Sequence, residues 1–146
     1  MKKIILAFII LFASQSLSFA QDHAHSSTEG IQFFEGTWEE ALTLAKKEKK
    51  SIFLDVYAVW CGPCKALKNK TFPDVEVGKY FNEHFINVSL DGEKGDGIQL
   101  ARKLNVQAYP FLFILNSKGD PLVYYAGYLR PTEFLEFGKA GLLQSK

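Results

Sequence analysis

The chain has 146 residues, 47% of them hydrophobic and 23% charged, which excludes a disordered or collagen-like polypeptide and suits one globular domain. Its 17 basic and 16 acidic residues leave a formal net charge of +1, so the charge balance does not point to nucleic acid as a partner. Two cysteines are too few for a disulfide-stapled mini-protein, and they stand only three positions apart.

Residues 1–20 have the order of a secretory signal. Lys2 and Lys3 open it, an unbroken apolar run covers residues 4–13, and Ser18 and Ala20 supply the small residues before a cleavage point. The apolar run is about half the length that a bilayer span requires. Residue 21 is Gln, so the acylated cysteine of a lipoprotein is missing. The expectation is a secreted or periplasmic protein, soluble after cleavage. Residues 21–30 are polar, have no apolar period, and read as a flexible leader. Outside the cytoplasm a cysteine pair oxidises unless something keeps it reduced.

The short apolar run 31–34 reads as an edge strand. Thr37 with Glu40 three positions on matches a capping box, and Trp38, Ala41, Leu42 and Ala45 share one helical face. The charged run 46–50 closes that helix. Residues 51–58 read as a buried strand with one carboxylate, Asp55, in its middle, where a charge needs a partner or a task. Trp60-Cys61-Gly62-Pro63-Cys64-Lys65 follows directly. A helix is expected to begin near Cys61, with Pro63 in its first turn, where no intrahelical N–H bond is lost.

Pro73 interrupts the helical pattern and residues 74–84 resume it. Residues 85–90 read as a strand. Residues 91–97 read as a glycine-rich, acidic surface turn, with Asp96 and Arg102 at positions where a calcium loop needs Gly and Glu. A short helix over 98–104 follows. Strands over residues 111–115 and 122–126 are joined by a hairpin turn, and a helix runs from Pro131 to near Gln144. The order β-α-β-α-(α)-β-α-β-β-α predicts an α/β domain over residues 31–144, with a mixed central sheet flanked by helices.

Two cysteines at i and i+3 on a helix lie on one face, at a spacing that permits a disulfide. Cys61, at the helix N-terminus, is favoured as a thiolate and so as the nucleophile. Cys64, one turn in, is expected to be more buried and to resolve a mixed disulfide. It must first lose a proton, and Asp55 on the preceding strand is the candidate general base. The bland alternatives are a static disulfide for the pair and a hydrogen-bonded core carboxylate for Asp55. His23, His25 and His84 have no ligand spacing to the pair, so no metal site is expected, although two thiolates alone suit copper(I). Trp60 is expected to line an apolar substrate surface.

Trp60-Cys61-Gly62-Pro63-Cys64-Lys65 after a strand carrying Asp55 resembles the thioredoxin family. Tyr109-Pro110, just before the strand at 111–115, stands where that family has a cis proline facing the dithiol. The resemblance implies that Trp60, Gly62, Pro63, Tyr109 and Pro110 contact substrate, and that Gly127 has a family counterpart. Two departures stand out. Asn87-Val88-Ser89 lies where the family often has a Lys near the buried Asp, and Tyr109 is bulkier than usual before the proline. Thr71-Phe72-Pro73-Asp74 and Leu90-Asp91-Gly92 are closer to secreted thioredoxin-like proteins and to the soluble C-terminal domain of the membrane thiol:disulfide interchange protein.

The resemblance implies a thiol–disulfide oxidoreductase that reduces protein disulfides, needs no bound cofactor, acts as a monomer, and is recharged by a membrane-bound electron donor. The alternatives are a disulfide oxidant or isomerase, and a non-catalytic copper(I)-binding or holdase module.

Overall fold

The computed structural model describes residues 30–145. The expected signal segment and all of the expected leader but Gly30 lie outside the described residues. Five α-helices and four strands follow one another: α1 (Trp38–Glu48), β1 (Ser51–Tyr57), α2 (Gly62–Ala66), α3 (Val75–His84), β2 (Phe85–Asp91), α4 (Gly95–Lys103), β3 (Phe111–Leu115), β4 (Pro121–Ala126) and α5 (Pro131–Gln144). A π-helical turn, Leu67–Thr71, continues α2.

The sheet order is β2-β1-β3-β4. β1 pairs parallel with β2 and antiparallel with β3, and β3 pairs antiparallel with β4. This is the mixed sheet expected from one crossover and one hairpin.

Side chains alternate across β1, and the two faces build two cores. Ile52, Leu54 and Val56 join Trp38, Ala41 and Ala45 of α1 and Leu100 and Ala101 of α4. Phe53 joins Leu67, Val77 and Phe81 on one side and Phe134 of α5 on the other. The Phe53 ring is fully buried and sits 5.1 Å from Phe81 and 5.2 Å from Phe134, both edge-on. Edge-on pairs of this kind add to the gain from removing each ring from water. Asp55 has the parity of Phe53, so it faces the side covered by α2 and α3.

Local signals set the helix ends. Thr37 and Glu40 form the reciprocal capping box. The Asp74 side chain accepts from the Val77 N–H and opens α3 just beyond Pro73.

Three details differ from the sequence reading. Residues 31–34 form no strand, because Ile31 N–H donates to Phe72 and Phe34 N–H to Asn87, two separate elements. Gly30, assigned to the leader, is buried; its φ is +89°, and an added Cβ would lie 2.6 Å from the Phe72 carbonyl oxygen. The turn at 91–97 is shorter than expected, since α4 already begins at Gly95. Asp96 there accepts from the Trp38 N–H at 3.3 Å and joins the two helices on that face.

Candidate active site

Cys61 is the N-cap of α2, with extended backbone, and Pro63 lies in the first turn. Its Sγ accepts from the Cys64 N–H at 3.1 Å. The two cysteines form a disulfide with Cα atoms 5.3 Å apart. Cys64 was expected to be the more buried of the two, but each is 2% exposed. Ala58 and the partly buried Tyr57 and Tyr109 enclose the pair in a small cluster of its own, and Gly62 and Pro63 form the exposed rim.

Beside this rim lies an apolar ledge. Trp60 is 66% exposed, and its ring meets Tyr109 edge-on at 5.9 Å. Trp60 Nε1 donates to Glu93 at 3.0 Å. Val59 next to it is also exposed. The Tyr109-Pro110 bond is cis, as the resemblance implied. Pro110 is buried, and its carbonyl accepts from the Gly127 N–H at 2.9 Å. Tyr109 lies over Gly92, where an added Cβ would come within 2.7 Å of the phenol ring. The bulk of Tyr109 is thus matched by a missing side chain opposite. The structure therefore brings Trp60, Cys61, Gly62, Pro63, Cys64, Tyr109 and Pro110 to one end of the sheet.

Asp55 lies deeper, 1% exposed, in the middle of β1. It stands opposite Ser89 in the parallel register, and Ser89 Oγ donates to Oδ2 at 2.8 Å. Its Oδ1 is buried without a hydrogen-bond partner among the described residues. Burial pushes the Asp55 pKa up to about 6, with the Ser89 hydrogen bond and the Lys68 charge acting in the opposite direction. Lys68 comes from the π-helical turn, and its Nζ sits 3.4 Å from the centroid of the Tyr57 ring. The cation near the carboxylate therefore comes from the helix side, while β2 contributes a hydroxyl. Sequence reasoning missed Ser89, Lys68, Gly92 and Glu93 as site residues. Only the absence of the usual Lys at 87–89 pointed to this region.

A disulfide that caps a helix above a mixed sheet, beside a cis proline, defines an α/β protein built for thiol–disulfide exchange. The chain belongs to the thioredoxin-like family, whose domain model matches residues 38–141. It is 27% identical over 143 residues to the thiol:disulfide interchange protein DsbD of Vibrio vulnificus (strain YJ016), covering 90% of this chain and 24% of that protein. A DsbD of Vibrio cholerae is 31% identical over 102 residues, 67% of this chain and 17% of that one. The chain thus spans about a quarter or less of the curated relatives it matches.

Among solved structures, a protein described as a "putative disulphide-isomerase" from Bacteroides thetaiotaomicron is 42% identical, with a TM-score of 0.70 over 79% of this chain and 95% of that one. The C-terminal domain of Neisseria meningitidis DsbD, at 22% identity, shares the fold with a TM-score of 0.62 over 79% of this chain and all of that one. No helix among the described residues is long and apolar enough to cross a membrane.

Proposed function

We propose that this protein is a secreted or periplasmic reductase of protein disulfides, working through Cys61 and Cys64. The observation that carries the reading is the Cys64 N–H aimed at Cys61 Sγ. The same amide would stabilise a Cys61 thiolate once the disulfide is opened.

The Cys61 thiolate attacks one sulfur of a substrate disulfide, and that S–S bond breaks. One substrate sulfur leaves as a thiolate, and a mixed disulfide with Cys61 forms. Cys64 gives its proton to Asp55 and attacks Cys61 Sγ, and the second substrate sulfur leaves as a thiolate that takes up a proton. Two electrons have then passed to the substrate, and the Cys61–Cys64 disulfide remains. A membrane-bound donor of electrons returns the pair to the dithiol. Trp60, Gly62, Pro63, Tyr109 and Pro110 form the surface on which substrate docks. Residues 1–20 act as the signal, removed after Ala20, and the mature domain works as a monomer.

Gly62 and Pro63 between the cysteines support the reducing direction, since thioredoxin carries the same pair. A second reading, disulfide isomerase, is favoured by the description of the 42%-identical relative. A redox titration of the purified domain against glutathione decides between them. A potential near about −270 mV supports the reductase, one near −180 mV the isomerase, and one near −120 mV an oxidant.

A further inference from the structure

The two edges of the sheet differ. Along β2, Phe34 N–H donates to the Asn87 carbonyl and Asn87 Nδ2 donates to the Gln32 carbonyl, so residues 31–34 shield that edge. β4 is the other edge, and among the described residues no strand lies beyond it. Its sequence, Pro121–Ala126, holds no charged residue, and Tyr124 is 68% exposed.

The register shows which backbone groups of β4 point outward. Gly127 N–H donates to the Pro110 carbonyl, which makes these two a hydrogen-bonded pair of the β3–β4 ladder. Such pairs alternate along an antiparallel ladder. Tyr125 and Val123, opposite Leu112 and Ile114, therefore turn their N–H and C=O groups toward β3. Ala126 and Tyr124, opposite Phe111 and Phe113, turn theirs away from the sheet.

An open, uncharged edge is a template for another strand unless a proline, a bulge or a charge blocks it. On β4 these guards stand at one end: Pro121 starts the strand, and the register is irregular at Ile114 and Leu115. The unguarded end is the one at the dithiol. Val56, Phe111 and Ala126 form one row across the sheet, and the chain runs on from Val56 to Cys61.

We propose that the 124–126 end of β4 takes up an extended stretch of the substrate polypeptide as an added strand, on the C-terminal side of the substrate's reactive cysteine. This rests on the reading that the protein acts on protein disulfides, and it names the substrate class: chains still extended around their cysteines. The side follows from direction. β4 runs toward the dithiol, so a strand added antiparallel to it, the more stable pairing, runs away from the dithiol. From the end of β1 to an added strand is three strand spacings, about 14 Å, which four or five extended residues cover. The added strand thus begins about five residues after the cysteine. Its backbone pairs with Tyr124 and Ala126, and aromatic or β-branched side chains gain most beside the Tyr124 ring. That ring is already packed on Phe111, with centroids 5.6 Å apart.

Two peptides test this. One ends just after its cysteine, and one continues for about twelve residues with Val and Tyr at alternate positions. Each is joined to Cys61 of the Cys64→Ser variant through an activated disulfide, and amide hydrogen exchange is read by NMR. With the long peptide, exchange at Tyr124 and Ala126 should slow about tenfold or more relative to the short one. Val123 and Tyr125, already bonded to β3, should not change. In turnover by the wild type, the long peptide should have a KM about tenfold lower at equal kcat, the gain expected from one or two net backbone hydrogen bonds. Ala126→Pro removes an outward N–H and leaves the ladder to β3 intact, and Tyr124→Lys adds a charge to the edge. Either should bring the two KM values within about twofold. Equal exchange at Tyr124 and Ala126 with both peptides overturns the proposal. So does slow exchange at these amides in the free protein, whether dilution relieves it, which makes the occupant a second copy, or deletion of residues 21–29 does, which makes it the leader. If the long peptide protects the edge but the wild type turns over neither peptide, it is the reductase reading that fails.

Discussion

Trp60 Nε1 donates to the Glu93 carboxylate at 3.0 Å, which ties the side chain next to Cys61 to the loop after β2. Tyr109 touches the same indole edge-on. The ledge therefore has two supports, one polar and exposed and one aromatic. Glu93→Ala removes the first without touching the dithiol. An exposed hydrogen bond of this kind contributes about 0.5–1 kcal/mol, so KM for a peptide disulfide should rise roughly two- to fivefold. The redox potential and kcat should hold. An unchanged KM would mean that Tyr109 alone sets the indole.

Asp55 links stability to pH. Its pKa is raised in the folded state, from an ordinary 3.8 to about 6. Well below pH 3.8 the carboxyl is protonated in both folded and unfolded chains, and it has no effect on stability. As pH rises, the unfolded chain ionises first, so stability falls, and the loss is complete above pH 6. The full cost is roughly 3 kcal/mol. Asp55→Asn should therefore stabilise the oxidised protein by up to that amount at pH 7.5 and leave it almost unchanged at pH 3.5. Denaturant unfolding at the two pH values checks this, and equal effects at both would contradict a buried ionising carboxylate.

Lys68 acts on Asp55 in the opposite sense to burial. Lys68→Met keeps the stem over Tyr57 and removes the charge, so the Asp55 pKa should climb further. The midpoint of the pH profile for resolution of the mixed disulfide by Cys64 should move to higher pH. Because Lys68 is exposed, the change in stability should remain within about 0.5 kcal/mol. A midpoint that moves down or not at all would separate Lys68 from the carboxylate.

The two cysteines should differ when replaced. Cys64→Ser leaves the Cys61 thiolate able to attack but removes the resolving thiol, so mixed disulfides with substrates should accumulate. Cys61→Ser should accumulate none, because the α2 N-terminus and the Cys64 N–H favour a thiolate at Cys61 and not at Cys64. Non-reducing electrophoresis followed by mass spectrometry reads both. Equal trapping by the two variants would reverse the assignment of nucleophile.

What was legible in the sequence had local causes. The Thr37–Glu40 box, Pro63 at the start of α2 and the apolar run of β1 act within a few residues, and their patterns survive in one dimension. The hexapeptide 60–65 was legible for the same reason. Ser89 as the partner of Asp55 was not, since strand register across 34 positions creates the contact. The bond from Trp60 to Glu93 spans 33 positions and was equally hidden. Lys68 was missed because a π-helical turn changes the phase of the helix just where the charge projects. Residues 31–34 looked like a strand because they are apolar, but their backbone bonds divide between two elements that no periodicity announces.

The cysteine pair packs in a cluster apart from the two main cores. A Cβ built on Gly62 would meet nothing within 4 Å, and Pro63 beside it is exposed. The dipeptide between the sulfurs is thus a replaceable cartridge. Its identity can change while the scaffold goes on folding as before.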